Sequence, residues 1–308
     1  MKFKNHHLLI IGGTGFIGYH LASNGIKLGF KVTSVSLNEP IFSKKVNGVK
    51  YIQLDLTSLE KVDKFKWDNY HFVINLVGYI GHDLFKNGGR KYIDQHFISL
   101  LNIIQSLPRK NLKKFIQIGS SDEYGDNISP QKEIMRENPI SSYSLAKVSA
   151  THFLQMVSNT ENFPSVITRL FLTYGPGQNN FRFIPQVIKG CLNGNKFPTS
   201  MGVQLRDFLY IEDTVEAIFN LLTTENINGE IFNIASGQPT SIRVIIEKIR
   251  NLVKNGTPDY GKVQYRKGEN MSLFADISKI QKFTSWKPKI SLDKGLLNTI
   301  NWYKKNNF

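Results

Sequence analysis

A chain of 308 residues is long enough for one large domain or two smaller ones. Its 41% hydrophobic and 20% charged residues are typical of a globular protein, and no apolar run reaches the ~20 residues of a membrane-spanning helix. The single cysteine, Cys191, excludes an internal disulfide and a cysteine metal cluster, and predicts a cytoplasmic protein without a bound metal. The apolar run LLII (8–11) is too short for a signal peptide.

The net charge of +15 raises the question of nucleic-acid binding. The lysines are scattered, however, with short clusters such as Lys113-Lys114 and Lys304-Lys305 at predicted helix ends. No basic stripe is interleaved with aromatic residues. We therefore expect a solvated basic surface that binds neither nucleic acid nor a membrane, and whose field favours an anionic ligand.

The first 170 residues alternate short β-rich runs with helical patterns. Residues 16–28, for example, place Ile17, Leu21 and Leu28 on one helical face. The predicted strands are 8–11, 31–36, 49–54, 71–76, 114–118 and 165–170. Apolar runs of this kind, separated by helices, predict an α/β fold with a doubly wound parallel sheet.

After residue 170 the pattern loosens into a loop-rich part. We predict helices around 184–193, 212–223, 240–254 and 291–305, and one strand at 232–236. This predicts a dinucleotide-binding domain over 1–170 and a smaller substrate-binding part over 171–308. A segment near 207–238 is expected to return to the first domain.

A glycine-rich loop follows the first predicted strand and opens the first helix. Gly12, Gly15 and Gly18 are spaced G-x-x-G-x-x-G in the stretch IIGGTGFIG. Such glycines allow a tight turn, close approach of a pyrophosphate, and close packing of the helix. The helix N-terminus supplies oriented N–H groups. The alternative is a purely structural turn, but glycines in a strand–turn–helix with a sheet behind them favour dinucleotide binding.

The choice between NAD and NADP depends on the end of the second strand. An acidic residue there would bind the ribose 2′-hydroxyl of NAD, and a basic residue would favour a 2′-phosphate. The strand ends in Ser36, with no acid to repel a phosphate, and Lys44 and Lys45 lie nearby in sequence. Asp55 is placed at the end of the third strand, facing the adenine. The pattern favours NADP over NAD.

The stretch SSYSLAK carries Tyr143 and Lys147 four residues apart, on one face of a helix. An ammonium near a phenol lowers the pKa of the tyrosine. Such a phenol can take a proton from a sugar hydroxyl, or return one, while a hydride moves at the same carbon. Ser120, if held opposite, would hydrogen-bond the reacting oxygen. This spacing also occurs by chance, but behind a dinucleotide loop it predicts catalysis.

Together these motifs resemble the extended short-chain dehydrogenase/reductases that act on nucleotide sugars, the NAD-dependent epimerase/dehydratase family. The resemblance spans nearly the whole chain. It rests on GGTGFIG (12–18), LDL (54–56), SSDEYG (120–125), ENPISSYSLAK (137–147), RLFLTYGPGQ (169–178), RDFLYIEDTVEAI (206–218), FNIASG (232–237) and SWKP (285–288).

The resemblance implies a Rossmann domain for NAD or NADP and a smaller domain, with a nucleotide-diphospho-sugar in the cleft between them. The family's catalytic serine or threonine lies four residues before the tyrosine of its YG pair, which assigns that role to Ser120. Tyr143 would transfer the proton and Lys147 would hold the nicotinamide ribose. Further residues implied at the cofactor or the substrate are Phe16, Ile17, Leu56, Leu76 and Ser121.

Two further implications concern the diphosphate and the assembly. Arg206, in the RDF motif, would bind the substrate diphosphate; the alternative is a surface ion pair with Asp207. A homodimer through the helices near 92–107 and 142–157 is also implied.

The stretch after Ser120 bears on which reaction is catalysed. The family's 4,6-dehydratases need a carboxylate to abstract the C5 proton and an acid to help water leave C6. Asp122 occupies the position of their glutamate but is one methylene shorter, and Ser121 replaces their acid. Glu123 falls where the family has an apolar residue, and we expect it to be structural or solvent-facing.

The Gly81-His82 pair, the QLRDFLYIED segment and Met271, where many members carry an arginine, resemble the branch containing CDP-abequose synthase, a 4-ketosugar reductase. We therefore predict an NAD(P)H-dependent 4-keto reductase, with Tyr143 as the proton donor. The first alternative is an NAD-retaining 4-epimerase, and the second is a dehydratase that uses Asp122. A non-catalytic dinucleotide-binding protein would have no need of the serine, tyrosine and lysine.

Overall fold

The computed structural model describes residues 3–41, 44–81, 83–265 and 268–306, so His82 lies outside the described part of the chain. The strands, in chain order, are β1 (His7–Ile11), β2 (Lys31–Ser36), β3 (Val49–Gln53), β4 (Phe72–Asn75), β5 (Lys114–Ser120), β6 (Ser165–Leu170), β7 (Leu172–Tyr174), β8 (Lys196–Pro198), β9 (Leu205–Tyr210), β10 (Ile231–Ile234), β11 (Pro239–Ser241), β12 (Thr257–Asp259) and β13 (Ser272–Leu273). The helices are α1 (Phe16–Leu28), α2 (Leu59–Lys64), α3 (Arg90–Ile93), α4 (Ser99–Ser106), α5 (Ser142–Glu161), α6 (Phe183–Leu192), α7 (Ile211–Thr223), α8 (Ile242–Val253), α9 (Ser278–Thr284) and α10 (Leu292–Lys305).

Seven strands form the main sheet, in the order β10-β6-β5-β4-β1-β2-β3. The pairs β3–β2, β2–β1, β1–β4 and β4–β5 are parallel. The strand order reverses between β1 and β4, and in sheets of this kind a ligand binds outside the carboxyl ends of the strands at that switch point. The predicted α/β fold with a doubly wound sheet is confirmed.

The central strands form because their side chains are apolar on both faces, which suits a sheet covered by helices. Every residue of β1 and β4 is buried. One face packs against helices in a core that includes Leu9, Val73, Phe115, Leu154 and Ile167. Burying a side chain of this size contributes about 1.5–3 kcal/mol relative to leaving it exposed.

The chain divides into two compact units. The first contains the residues up to Gly125, Arg136–Arg169 and Ala217–Phe232, and holds most of the main sheet. The second contains Asp126–Met135, Leu170–Glu216 and the residues from Asn233 onward. The chain therefore leaves the first unit and returns to it twice, the second time over Ala217–Phe232.

The second unit has small sheets of its own. In one of them β9 pairs with β11 in antiparallel fashion and with β7 and β13 in parallel. A parallel pair, β12 with β8, forms the other. Most of these strands have only two or three residues, too few to produce a periodic pattern in the sequence. No helix within the described ranges has the length and apolar character that crossing a membrane requires.

Candidate active site

The glycine-rich loop connects β1 to α1 at the switch point of the sheet. Gly12 adopts a φ of 81°, and a Cβ there would lie 3.2 Å from the backbone of Leu76, which follows β4. A Cβ on Gly18 would overlap the backbone of Gly12 and Gly13. The first glycine thus permits the turn, and the third lets α1 begin directly against it.

Gly15 is the N-cap of α1, and no acidic residue lies in the first turn of that helix. Phe16 and Ile17 are the first two residues of α1. The first N–H groups of a helix have no partner within the helix and attract an anion. The glycine loop and the start of α1 therefore fit the pyrophosphate of a dinucleotide, because a Cβ on Gly15 would lie near only the Gly12 carbonyl, at 3.4 Å, and the missing side chain leaves the helix N-terminus open.

The end of β2 is occupied by Ser36, whose buried Oγ has no hydrogen-bond partner in the described part of the chain. The sequence predicted Asp55 at the end of the third strand. In the structure β3 ends at Gln53, and Asp55 lies two residues beyond it. Its Oδ1 accepts hydrogen bonds from the amide and hydroxyl of Thr57, and its Oδ2 lies 3.5 Å from Lys61 Nζ. The Thr57 hydrogen bonds, supported by Lys61, lower the pKa of Asp55.

A cavity of about 530 Å³ opens at this side of the first unit. It is lined by Leu37, Gln53, Leu54, Asp55, Lys61, Lys64 and Phe65. It therefore adjoins the ends of β2 and β3, where the adenosine end of a dinucleotide is expected. Two ammonium groups, those of Lys61 and Lys64, contribute positive charge to its wall.

Leu56 and Leu76 were predicted to line the cofactor site. The Leu56 side chain is buried in the main core, and its carbonyl accepts a hydrogen bond from Asn102. Leu76 is half-buried and presents its backbone to Gly12. The side chain of Leu56 is therefore structural, whereas the backbone of Leu76 shapes the glycine loop.

The stretch from Ser120 to Tyr124 leaves β5 in one tight helical turn. The Ser120 Oγ accepts a hydrogen bond from the Asp122 amide at 3.2 Å, and the Glu123 carboxylate accepts one from the Ser120 amide at 2.9 Å. Because the Ser120 oxygen accepts this bond, its own hydrogen remains available to donate to a ligand. Ser121 is buried.

Glu123 is fully buried, so the solvent-facing alternative for it is wrong. Its carboxylate also accepts hydrogen bonds from Thr151 Oγ1 at 2.8 Å and from Arg169 Nε at 3.0 Å. Arg169 in turn pairs with Glu137 and lies over the ring of Tyr124. A charged network therefore lies directly beneath the serine-bearing turn.

The helix α5 carries Tyr143 and Lys147 on one buried face. Ser141 caps its N-terminus, accepting a hydrogen bond from the Ser144 amide at 3.1 Å, while the Ser144 hydroxyl binds back to Ser141. This reciprocal cap fixes the start of the helix. It places Tyr143 in the first turn and Lys147 one turn later.

Lys147 donates a hydrogen bond to the Ile118 carbonyl at 2.6 Å, and its Nζ lies 5.9 Å from the centre of the Tyr143 ring. Burial lowers the pKa of Lys147 to about 8, and the negative charge of Glu123 opposes that effect. The Ile118 bond attaches the helix to the strand that ends in Ser120. The structure therefore places Ser120, Tyr143 and Lys147 in the same compact unit.

Sequence reasoning missed a histidine beside this tyrosine. His96 lies in a π-helical turn (Asp94–Ile98) between α3 and α4, with its ring centre 5.0 Å from that of Tyr143 in an edge-on arrangement. Its Nε2 lies 2.9 Å from the Tyr79 carbonyl, and its ring fills the space beside Gly78. Burial, with the charge of Lys147, lowers the pKa of His96 to about 3. A histidine within an otherwise apolar helical stretch was the only signal available.

We expect the free energy of unfolding to fall by about 2–4 kcal/mol as the pH falls from 6.5 toward 3. Burial also lowers the pKa of His7, to about 4. Because both folded-state values lie below the ordinary 6.5, the unfolded chain binds the protons more tightly and acid favours unfolding. This stability is complete above pH 6.5 and is lost as the pH falls through 4 and then 3.

Urea denaturation at several pH values would measure this dependence. In His96→Gln, which retains a donor for the Tyr79 carbonyl, stability should depend less steeply on pH. A slope identical to that of the wild type would contradict the assignment to His96.

Arg206 lies in the second unit, on β9. It pairs with Glu269 and donates a hydrogen bond to the Leu205 carbonyl at 2.8 Å. Its neighbour Asp207 is buried and accepts hydrogen bonds from the Ser236 and Gly237 amides at 2.7 and 2.9 Å. Glu269 was not anticipated as a partner of Arg206, because 63 residues separate the two along the chain.

Comparison with known proteins gives consistent results. The UDP-glucuronate 4-epimerase of Thermodesulfobacterium geofontis is 27% identical over 97% of this chain and 97% of its own length. The dTDP-glucose 4,6-dehydratase of Haemophilus influenzae is 23% identical over 97% of this chain and 98% of its own. A solved structure of UDP-glucuronic acid 4-epimerase from Bacillus cereus, in complex with UDP-glucuronic acid and NAD, matches with a TM-score of 0.87 at 26% identity. That match covers 97% of this chain and 99% of the other.

These relatives are epimerases and dehydratases, so they favour the epimerase alternative over the predicted 4-keto reductase. A sequence profile described as the NAD dependent epimerase/dehydratase family matches residues 8–235, from β1 to the end of β10. That range includes the glycine loop, Ser120, Tyr143, Lys147 and Arg206. The profile covers most of the chain and includes residues of every strand of the main sheet. The chain therefore belongs to the NAD-dependent epimerase/dehydratase family of enzymes that act on nucleotide sugars.

Proposed function

We propose that the protein is a nucleotide-sugar 4-epimerase that retains NAD through its catalytic cycle. The observation that carries this proposal is the buried pair of Tyr143 and Lys147, attached through Ile118 to the strand that ends in Ser120. These residues form a single acid–base centre. With retained NAD and no net redox change, such a centre can invert the configuration at a carbon bearing a hydroxyl.

In the proposed reaction, Tyr143 as the phenolate takes the proton of the sugar 4-hydroxyl. Ser120 donates its hydrogen to the same oxygen, and Lys147 stabilises the phenolate by its charge. NAD, held at the glycine loop and by Lys147, would supply the hydride acceptor for C4 and the hydride donor to the opposite face of the ring. Tyr143 then gives the proton back, so that substrate and product differ only in configuration at C4.

A dehydratase would need a base at C5 and an acid for the departing water. Asp122 is the only carboxylate of the turn that is not fully buried, since Glu123 is held by Arg169 and Thr151. Ser121, at the position of the acid, is buried. The burial of Ser121 supports the epimerase over the dehydratase, because a dehydratase needs an acid at that position for the departing water.

Incubation with UDP-glucuronic acid, UDP-glucose and UDP-N-acetylglucosamine, with no cofactor added, tests the proposal. We expect nuclear magnetic resonance of the product to show inversion at C4. We also expect the protein to release NAD when it is denatured. Stoichiometric oxidation of added NADH or NADPH by a UDP-4-keto sugar, with no turnover of the three substrates above, would instead support the 4-keto reductase. A product lighter by one water would support the dehydratase.

We propose that Ser36 leaves the adenosine site open to both NAD and NADP. A carboxylate at the end of the second strand would bind the 2′-hydroxyl and repel a 2′-phosphate. Ser36→Asp should therefore weaken NADP binding by about tenfold or more relative to NAD, which corresponds to about 1.4 kcal/mol.

Calorimetric titration of the nucleotide-free protein would measure both affinities. Ser36→Thr is the matched control, because it retains a hydroxyl and adds no charge. An unchanged ratio of the two affinities in Ser36→Asp would show that the 2′-position lies elsewhere.

We propose that Arg206 binds the substrate diphosphate and that Glu269 competes for its guanidinium. Both side chains are mostly buried, at 11% and 22% exposure, so their attraction is weakly screened. Glu269→Gln should tighten the binding of UDP by about three- to tenfold, because the diphosphate no longer has to displace a carboxylate.

Calorimetric titration with UDP at fixed ionic strength measures this effect. Glu247→Gln, on α8 in the same unit, is the control, since Glu247 pairs with Arg250 and Tyr260. Weaker UDP binding in Glu269→Gln would mean that Glu269 orients Arg206 and does not compete for it.

A further inference from the structure

A buried stripe on α5 continues past the catalytic pair. Tyr143, Lys147 and Thr151 follow one another at intervals of four residues, so they share one face of the helix. All three are buried. Glu123 meets the end of this stripe, through the hydrogen bond from Thr151.

The Glu123 carboxylate joins three elements of the first unit. It accepts hydrogen bonds from the Ser120 amide at the end of β5, from Thr151 on α5 and from Arg169 on β6, at 2.9, 2.8 and 3.0 Å. A Cβ on Gly119 would overlap its Oε1 atom, so the strand is built with room for this carboxylate. The serine and the helix that bears Tyr143 are therefore held by the same group.

The charge of this group also matters to the site. Glu123 and Arg169 are each 0% exposed, so water does not screen them. Two positive groups face Glu123. One is Arg169, whose charge is also balanced by Glu137, and the other is Lys147, on the same face of α5 as Thr151. Lys147 is faced by Glu123, by the ring of Tyr143 and by the buried, neutral His96.

We propose that Glu123 is a positioning residue for catalysis, which fixes Ser120 through its backbone and keeps Lys147 protonated through its negative charge. Where the resemblance to the family leads one to expect an apolar residue, this chain has a carboxylate that acts on two members of the catalytic centre. The inference rests on the proposed roles of Ser120 and Lys147.

Two substitutions distinguish the effect of the negative charge of Glu123 from the effect of its side-chain length. Glu123→Gln retains the length and loses the charge, whereas Glu123→Asp retains the charge and is one methylene too short to hold all three partners. Thr151→Val removes one hydrogen bond to the carboxylate and leaves its charge. Glu161→Gln, at the exposed end of α5 where Glu161 pairs with Arg109, is the matched control for the glutamine substitution.

The first measurement needs no turnover. The 13Cε signal of Lys147, in protein labelled on lysine and assigned with Lys147→Arg, reports the titration of its amine. In Glu123→Gln the midpoint should fall by about one pH unit or more, because an opposite charge favours the ammonium. It should stay near the wild-type value in Glu123→Asp, Thr151→Val and Glu161→Gln. A folded Glu123→Gln protein with an unchanged midpoint overturns the proposal.

The second measurement is the separation of kcat from KM for the epimerisation. Glu123→Gln and Glu123→Asp should each lower kcat by about 10- to 100-fold, with little change in KM, because they displace catalytic groups and not substrate-binding groups. In Glu123→Gln the alkaline limb of the kcat profile should also move to lower pH. A variant that is less stable but retains kcat and the pH profile would show a merely structural role.

The two failures can be told apart. If the protein epimerises none of the sugars but the Lys147 midpoint shifts in Glu123→Gln, the function is wrong and the electrostatic role of Glu123 remains. Should Glu123→Gln fail to fold, Glu123→Asp decides, since an unchanged kcat in that variant contradicts the positioning of Ser120.

Discussion

Tyr143→Phe should lower kcat by about 10²- to 10⁴-fold, the usual contribution of a positioned acid–base group. The hydroxyl is the only part of the residue removed, and the ring retains its contact with His96. Lys147 retains its bond to the Ile118 carbonyl. NAD binding and folding should therefore change little, and the loss should appear in kcat rather than in KM.

Steady-state kinetics with the accepted nucleotide sugar, and NAD content after denaturation, measure this prediction. Tyr70→Phe is the control, because Tyr70 is equally buried but precedes β4 and packs on His7 at the opposite ends of the parallel strands. Full activity in Tyr143→Phe would exclude the mechanism proposed for this centre.

Arg169→Met should lower the free energy of unfolding by about 3–5 kcal/mol, because it leaves a buried carboxylate without its counter-ion. Arg169 is 0% exposed, pairs with both Glu123 and Glu137, and lies 4.4 Å from the centre of the Tyr124 ring. Methionine fills much of the same volume, so the loss comes mainly from charge and hydrogen bonds rather than from a cavity.

Urea unfolding measures the difference, with the slope checked for two-state behaviour. Glu123→Val alone should cost less, since Arg169 retains Glu137 as a partner. The double variant Glu123→Val, Arg169→Met should recover part of the loss, because it removes both members of the buried pair. Equal stability of Arg169→Met and the wild type would mean that Glu123 is not charged in the folded protein.

Much of the first unit could be predicted from sequence. Six of the seven main strands lie in the first 170 residues, where LLII is apolar throughout and SVITRL is rich in β-branched residues, so both give a strong local signal. The glycine loop was placed correctly between β1 and α1, because its spacing has few structural uses. These features depend on neighbours in sequence.

The features that were missed depend on residues far apart in the chain. The burial of Glu123 follows from Arg169, 46 residues later, and the partner of Arg206 lies 63 residues away. His96 comes to lie against Tyr143 through the turn between α3 and α4. The strands β8 and β11 have three residues each, and one of the three is a proline. Nothing in their own sequence predicts a strand, because they are defined by pairing with a strand distant in the chain.

The strand β10 reaches the main sheet only after the chain has passed through Leu170–Glu216 of the second unit, and it then covers the outer side of β6. A fragment that stopped at residue 170 would keep β6, all of whose residues are buried, but would leave it as a bare edge. Unpaired apolar edges recruit strands from other molecules. A dinucleotide-binding fragment cut at that point would therefore tend to aggregate, whereas one that also carries residues 217–234 would retain the whole strand that covers the edge.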